Sequence, residues 1–225
     1  MNTDKSRYFL KPALLVLLVV FGNAAIAQSV IYTDQAASLK QVKPGYYLET
    51  FDSLPVFTGL LQPAFFSANG FSYNANATYF GSDQRGLFSV SPNSTQPNDI
   101  ALSTTQSNAA ITLTFTSGNV TAIGGDFFLT DDPGNAVPGD VTVTLNDGTT
   151  QILTATSANP QPFVGFTSAS PISSLILTIP QTFRYATINN FVVGTAVPEP
   201  GAVALLLGIG SFGSFCLLRR HHSRK

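Results

Sequence analysis

Residues 28–196 of this chain contain no cysteine, no histidine and no tryptophan, because the one cysteine is Cys216 and the two histidines are His221 and His222. Without thiols the segment forms no disulfide, so its core alone must stabilise the fold. It also has no Ser-His-Asp triad, no Cys-His pair and none of the usual zinc ligand sets. We therefore do not expect an enzyme, although paired carboxylates leave glycosidase chemistry open.

Basic residues are scarce in the same segment and crowd both ends of the chain. Between Gln28 and Val197 there are four basic and ten acidic residues, a balance of −6, whereas the whole chain has a formal net charge of −1. Proteins bind nucleic acid through clustered lysine and arginine. We expect no nucleic-acid partner.

The N-terminal residues have the pattern of a secretory signal peptide. Three basic residues precede the apolar run ALLVLLVVFG, and Ala25 and Ala27 then form a small-x-small motif. Signal peptidase accepts small residues at these two positions. We predict a signal peptide over residues 1–27 that signal peptidase removes after Ala27; an uncleaved anchor is the alternative.

Strand signals run through residues 28–196. The clearest hairpin is DVTVTLNDGTTQILTA, in which Val141, Val143 and Leu145 share one face, Asn-Asp-Gly turns, and Ile152 begins the return face. AITLTFT and SSLILTI show the same alternation, and no window keeps a helical period. Strands with one apolar face need a second sheet to cover it. We predict an exported domain over residues 28–196 that folds as an all-β, antiparallel β-sandwich of jelly-roll type.

Two groups of oxygen-bearing side chains are candidates for calcium, the one cofactor that we consider. DFFLTDDPGNAVPGD places five such residues in one strand and loop: Asp126, Asp131, Asp132, Asn135 and Asp140. Calcium takes several oxygen ligands from a flexible loop, but Pro133 excludes an EF-hand. A solvated loop is the alternative. The second group pairs Glu49 and Asp52 with Asn190, if the first and last strands are neighbours.

Tyrosines offer a third kind of site, for glycans. Tyr46, Tyr47, Tyr73 and Tyr79 could present rings to a sugar, and GFSYNANATYFGSDQRG mixes aromatic and amide side chains. Ordinary packing in strands is the alternative. A cleft with paired carboxylates and exposed tyrosines would favour a protein that binds or cleaves a polysaccharide.

The C-terminal region combines an apolar run with a basic end. Residues 202–218 are 17 residues without a charge. As a helix they extend about 26 Å, close to the roughly 30 Å of a hydrocarbon core. Arg219 and Arg220 follow, and basic residues favour the cytoplasmic side. We predict a single transmembrane helix over 202–218, with the preceding domain on the opposite side.

Pro198, Glu199 and Pro200 stand directly before that helix. Each proline fixes its own φ and disfavours helix at the residue before it, so the tripeptide is extended and stiff. A plain hinge and a protease recognition segment both need such a backbone. The residues by themselves do not decide between the two.

Val-Pro-Glu-Pro, an apolar helix and a short basic end, in that order over residues 197–225, resemble the PEP-CTERM protein-sorting signal of Gram-negative bacteria. The resemblance implies an exosortase-type membrane transpeptidase as partner, with Pro198, Glu199, Pro200, Arg219 and Arg220 as recognition residues. It also implies a role in exopolysaccharide, biofilm or floc formation. The expected course is an inner-membrane-anchored precursor with its domain in the periplasm, then release to the envelope or the outside.

Overall fold

The computed structural model describes four ranges of the chain, residues 28–78, 86–93, 98–156 and 161–198. Within them nearly all of the regular secondary structure is β-strand. No helix in these ranges is long and apolar enough to cross a membrane. The predicted signal peptide and the predicted transmembrane helix both fall outside the described residues.

Fifteen strands and one short helix make up the described part. In chain order they are β1 (Val30–Tyr32), α1 (Gln35–Leu39), β2 (Tyr47–Glu49), β3 (Gly59–Leu60), β4 (Ala64–Ala68), β5 (Phe71–Ala77), β6 (Leu87–Val90), β7 (Ala101–Thr104), β8 (Ile111–Phe115), β9 (Ala122–Thr130), β10 (Ala136–Val137), β11 (Gly139–Leu145), β12 (Thr150–Ala155), β13 (Phe163–Thr167), β14 (Ser174–Thr178) and β15 (Tyr185–Gly194).

The strands form two antiparallel sheets. The larger has nine strands in the order β1-β13-β9-β15-β7-β6-β3, with β10 beside β9 and β2 beside β15. The smaller has six strands in the order β12-β11-β14-β8-β5-β4. The prediction of an all-β architecture is confirmed.

The inner faces of the two sheets pack together in one core, so the domain is a β-sandwich. Tyr73 of β5 lies edge-to-face against Phe191 of β15, with ring centroids 5.4 Å apart. Phe191 also stacks on Phe115 of β8 at 6.3 Å. Aromatic pairs of this kind add about 0.5–1.5 kcal/mol beyond their buried area. These rings therefore join the sheets without a disulfide.

The predicted hairpin is present, with one error. β11 and β12 pair with Thr144 opposite Thr150, and the three predicted apolar residues of β11 are buried. Ile152, however, is 60% exposed, and Leu153 faces the core instead. Because side chains alternate between faces, a shift of one residue moves the whole strand's inward set to the outside. The prediction that Ile152 begins the buried return face is wrong.

A second hairpin lies where the sequence drew attention to aromatics and amides. β4 and β5 pair with Ala68 opposite Phe71, which leaves Asn69-Gly70 as a two-residue loop. Both loop residues have positive φ, 54° and 81°, as a type I′ turn requires. The Asn-Gly pair therefore specifies the turn of this hairpin.

Helix α1 covers part of the outer face of the larger sheet. Asp34 caps it, since its Oδ1 accepts a hydrogen bond from the Ala37 backbone N–H at 2.7 Å. Ser38 is buried, and its side chain occupies the place that a Cβ on Gly165 of β13 would need. Glycine at position 165 lets the helix approach the strand closely.

We expect Gly165→Ala to destabilise the domain by about 1–3 kcal/mol, because the added methyl group overlaps Ser38. The urea unfolding midpoint of the variant measures the effect. Combining it with Ser38→Gly removes the overlapping atoms and recovers part of the loss. Equal midpoints for Gly165→Ala and the natural chain would show that the helix moves away freely.

Candidate functional site

Polar side chains collect on the outer face of the larger sheet, where β9 and β15 pair. The register between these strands shifts between Asn189 and Val192, and Asn190 has φ 47°. Asparagine tolerates this left-handed conformation better than most residues. The resulting bulge directs the Asn190 side chain toward β9, as bulges often re-aim a side chain.

Two carboxylates and two amides form what we call the carboxylate–amide cluster: Asp99, Asp126, Asn189 and Asn190. Asn190 Nδ2 donates to Asp126 Oδ2 at 2.8 Å, and Asn189 Nδ2 donates to Asp99 Oδ1 at 2.7 Å. The Asn190 backbone N–H donates to Asn189 Oδ1 at 2.8 Å. The amides thus hold two carboxylates on one small area of the sheet.

The electrostatics of the cluster centre on Asp126. Burial raises the pKa of Asp126 to about 6; the hydrogen bond from Asn190 opposes the rise, and nearby Asp99 adds to it. A carboxyl group in such surroundings changes charge near neutral pH. The charge of Asp126 near neutral pH therefore depends on its burial and on its neighbours Asn190 and Asp99.

The first predicted calcium group does not assemble in the structure. Asp131 accepts from the backbone N–H of Asn135 at 2.8 Å and closes the turn after β9. Asp132 accepts from Tyr185, and Asp140 accepts from Thr154 in the smaller sheet. Asp126 belongs to the carboxylate–amide cluster. Of the five predicted residues, Asp131 and Asn135 are the pair that hydrogen-bonds to each other.

The second predicted group is closer to its expected arrangement but is divided as well. β2 and β15 are neighbours, with Glu49 opposite Phe191, so the strands that carry Glu49 and Asn190 lie side by side, whereas the first strand, β1, pairs with β13. Glu49 accepts from the Tyr47 hydroxyl and from the Phe51 backbone N–H, and Asp52 accepts from the Ile100 backbone N–H at 3.0 Å. Asn190 turns to Asp126 instead. In the described ranges, no three carboxylate, histidine or cysteine side chains are grouped as metal ligands.

The tyrosines singled out by the sequence serve mainly as packing. Tyr47 and Tyr73 are buried, and the Tyr73 hydroxyl has no hydrogen-bond partner among the described residues. Burial, followed by the nearby Glu49 charge, raises the pKa of Tyr73. Neither ring is available to a sugar. Tyr46 is half-buried, and Tyr79 lies outside the described residues.

A different tyrosine stands beside an open hollow, which we call the Tyr185 recess. It has a volume of about 220 Å³, and its described lining includes two rings (Phe88 and Tyr185), two carboxylates (Asp131 and Asp132), four serine or threonine side chains and Val90. Tyr185 Oη donates to Asp132 Oδ1 at 3.1 Å. Burial, and then the hydrogen bond to Asp132, raises the pKa of Tyr185, so the phenol retains its proton. The sequence contains one signal for Tyr185. Side chains alternate between faces along YATIN, so Tyr185 lies on the face opposite the buried Ile188.

The two ends of the described domain meet in a larger hollow, which we call the terminal recess. Its lining includes Gln28 and Val30 from the beginning of the domain, and Val197 and Pro198 from its end. Ser29 is fixed to the β11–β12 turn, since its Oγ donates to Asp147 at 2.7 Å. Both ends of the fold therefore leave from one side of the sandwich.

No family model and no curated protein matches this chain. The resemblance to a sorting signal therefore rests on the sequence motif over residues 197–225. Of the predicted processing residues, Pro198 lies in the described part and is exposed. The others lie outside it: Ala25, Ala27, Glu199, Pro200, Arg219 and Arg220.

We expect Asp126→Asn to stabilise the domain at pH 7.5. A carboxyl group whose folded-state pKa lies above its unfolded value opposes folding when ionised; this effect is absent below about pH 4 and complete above pH 6. With partial exposure taken into account, the gain is about 1–2 kcal/mol. The asparagine retains an acceptor for Asn190.

Thermal unfolding from pH 4.5 to pH 7.5 measures this effect. The natural chain should lose stability through the range more steeply than the variant, and the two should converge at the acid end. Asp140→Asn, on the smaller sheet, is the matched control and should leave the slope unchanged. Parallel curves for the natural chain and Asp126→Asn would contradict the prediction.

We expect calcium to have at most a modest effect, because neither predicted ligand group is assembled. Titration calorimetry of the EDTA-treated protein tests this. Submicromolar binding would show that the loop after β9, or Glu49 with Asp52, rearranges to hold the ion. Repeating the titration with Asp131→Asn and with Glu49→Gln would identify which group does so.

Proposed function

We propose that this chain is an exported, non-enzymatic protein of the bacterial envelope or extracellular matrix, sorted by an exosortase-type transpeptidase. Signal peptidase would remove residues 1–27. The apolar run over 202–218 would then hold a precursor in the inner membrane with the sandwich in the periplasm. Cleavage near Pro-Glu-Pro would release the domain to the envelope or the outside, where it contributes to exopolysaccharide, biofilm or floc formation.

The observation that carries this proposal is where the fold ends. The Val197 backbone N–H donates to Gln41 O at 2.8 Å, and Val42 forms a bridge with Ala196. Pro198 follows directly, is exposed, and has no N–H to continue the ladder. The Pro-Glu-Pro segment thus begins one residue after Val197, which makes the last backbone hydrogen bond of the described domain. A protease needs an accessible backbone that is free of such bonds.

The position of the other end gives further support. Gln28, the first residue after the predicted signal-peptidase site, lines the terminal recess together with Pro198. A domain whose two ends leave from one side can be attached to a membrane through both at once. That geometry suits a precursor with an apolar segment before and after its folded part.

The strand order supports the finer prediction of a jelly-roll. From β5 onward the chain passes repeatedly between the two sheets: β5 and β8 lie in the smaller, and β6, β7 and β9 in the larger. Such alternation is typical of jelly-roll sandwiches. The absence of histidine and cysteine from residues 28–196 supports a binding or structural role over catalysis.

A carbohydrate-binding function is the second candidate, and the Tyr185 recess favours it. Cleavage of a polysaccharide has less support. Asp131 accepts hydrogen bonds from Asn135, Asp132 accepts one from the Tyr185 hydroxyl, and the two are consecutive residues at the end of β9. A glycosidase would need two carboxyl groups facing each other across the bound sugar.

Replacing Glu199 by Ala, or both Pro198 and Pro200 by Ala, should block processing while export and folding continue, because these residues follow the last hydrogen-bonded strand. The measurement is the intact mass of envelope and released fractions, in a host with an exosortase and in one without it. The variants should remain in the membrane fraction with residues 201–225 attached.

Pro138→Ala is the matched control, since Pro138 is an exposed proline between β10 and β11, at the Tyr185 end of the larger sheet and away from the motif. It should be processed like the natural chain. If the natural chain keeps residues 201–225 in the host with the enzyme, those residues are a permanent anchor and the sorting proposal is wrong.

A further inference from the structure

The Tyr185 recess has a rigid polar floor. Thr187 Oγ1 lies 2.9 Å from Ser103 Oγ and 3.0 Å from Thr130 Oγ1. All three side chains are buried, on neighbouring strands of the larger sheet. Hydroxyl groups that bond one another in this way keep fixed orientations. This buried network therefore fixes the base of the recess, and its hydroxyl groups bond one another rather than a ligand.

One wall of the recess is equally well positioned. The hydrogen bond to Asp132 holds the Tyr185 ring, and Asp131 holds the turn that carries Asp132. Asp132 is exposed, so a ligand can reach its carboxylate. Carboxylates accept hydrogen bonds from hydroxyl groups more strongly than neutral oxygens do. Phe88 and Tyr185 add apolar ring surface beside these acceptors.

The composition of the lining selects the class of ligand. The described lining contains two carboxylates, whose negative charge disfavours an anionic ligand. A purely apolar ligand would displace water from the exposed Asp132 carboxylate without offering it a hydrogen bond. A neutral polyhydroxy compound meets both conditions, because its hydroxyl groups bond the carboxylate and its C–H faces pack on the rings.

The size of the recess limits how much of such a ligand enters. Sites for drug-sized ligands typically have volumes of about 300–1,000 Å³. About 220 Å³ is smaller than this range and suits one ring. We propose that the Tyr185 recess binds a single neutral sugar residue, with Asp132 accepting its hydroxyl hydrogen bonds and Tyr185 and Phe88 contacting its ring.

This inference rests on the second candidate function, carbohydrate binding, and names its ligand class; sorting does not require it. The recess lies at the Tyr185 end of β15, whereas the chain leaves the sandwich beyond Gly194. Ten residues at about 3.3 Å each place these ends roughly 30 Å apart. A domain held at the terminal recess would still present the Tyr185 recess to the surroundings.

The test uses the full chain, purified in a detergent without a sugar head group. Saturation-transfer NMR with the methyl glycosides of glucose, galactose, mannose and N-acetylglucosamine detects binding, and titration calorimetry measures it. We expect at least one neutral sugar to bind and glucuronic acid to bind at least tenfold more weakly. Tyr185→Ala and Asp132→Ala should each weaken binding about tenfold.

Matched controls distinguish the loss of a ligand contact in the recess from a general loss of folded structure. Tyr32→Ala and Asp140→Ala remove the same side chains from outside the recess and should leave affinity unchanged. Tyr185→Phe keeps the ring and removes the hydroxyl group, so it should fold even if Tyr185→Ala does not, and it should weaken binding by less. Thermal unfolding of every variant accompanies each titration.

Three results would overturn the proposal. They are the absence of binding to every neutral sugar in the panel, equal losses in the recess variants and their controls, and glucuronic acid binding as tightly as the neutral sugars. The sorting proposal is judged separately, by the mass of the processed chain. A protein that is correctly released but binds no sugar refutes the recess proposal and leaves the sorting proposal standing.

Discussion

The pairing of β9 with β15 is the contact on which the rest of this sandwich depends. It lies in the middle of the larger sheet and runs from Tyr185 opposite Thr130 to Gly194 opposite Ala122. Its inner side supplies Phe191 to the aromatic contacts that join the sheets, and its outer side carries Asp126. A slip of one residue would exchange these two sides, placing carboxylates in the core and rings in water. Because of the bulge at Asn190, β15 places Phe191 in the core and the Asn190 side chain beside Asp126 on the outer face.

Much of this fold could be predicted from the sequence, because alternation is a local signal. The apolar residues of β8, β11 and β14 are buried as their spacing indicated. The prediction for Ile152 is wrong because the outer face of the smaller sheet also carries apolar side chains. Where both faces of a strand are apolar, alternation does not show which face is buried. The Asn69-Gly70 turn was readable too, but the aromatic residues around it suggested a binding surface instead.

Among the candidate sites, those made of consecutive residues could be predicted from the sequence, and those assembled by the fold could not. A processing motif is read as consecutive residues, so Pro198 and its successors can be proposed from sequence alone. The carboxylate–amide cluster joins Asp99 to Asn189, 90 residues later, and Asp126 to Asn190, 64 residues later. Only the sheet order brings these residues together. The five residues of the first predicted calcium group are close in sequence. Their side chains nevertheless have different hydrogen-bond partners, because side chains alternate between the faces of a strand and because β9 ends at Thr130.

The course of β15 also has a mechanical consequence. This strand begins at the Tyr185 recess and ends beside the residues where the chain leaves the sandwich. A force applied between those two points acts along the strand. Hydrogen bonds to β9 and β7 lie across that direction, so many of them share the load and must break together. Strands pulled from a shared end separate one bond at a time, whereas a force along β15 would load its hydrogen bonds in shear.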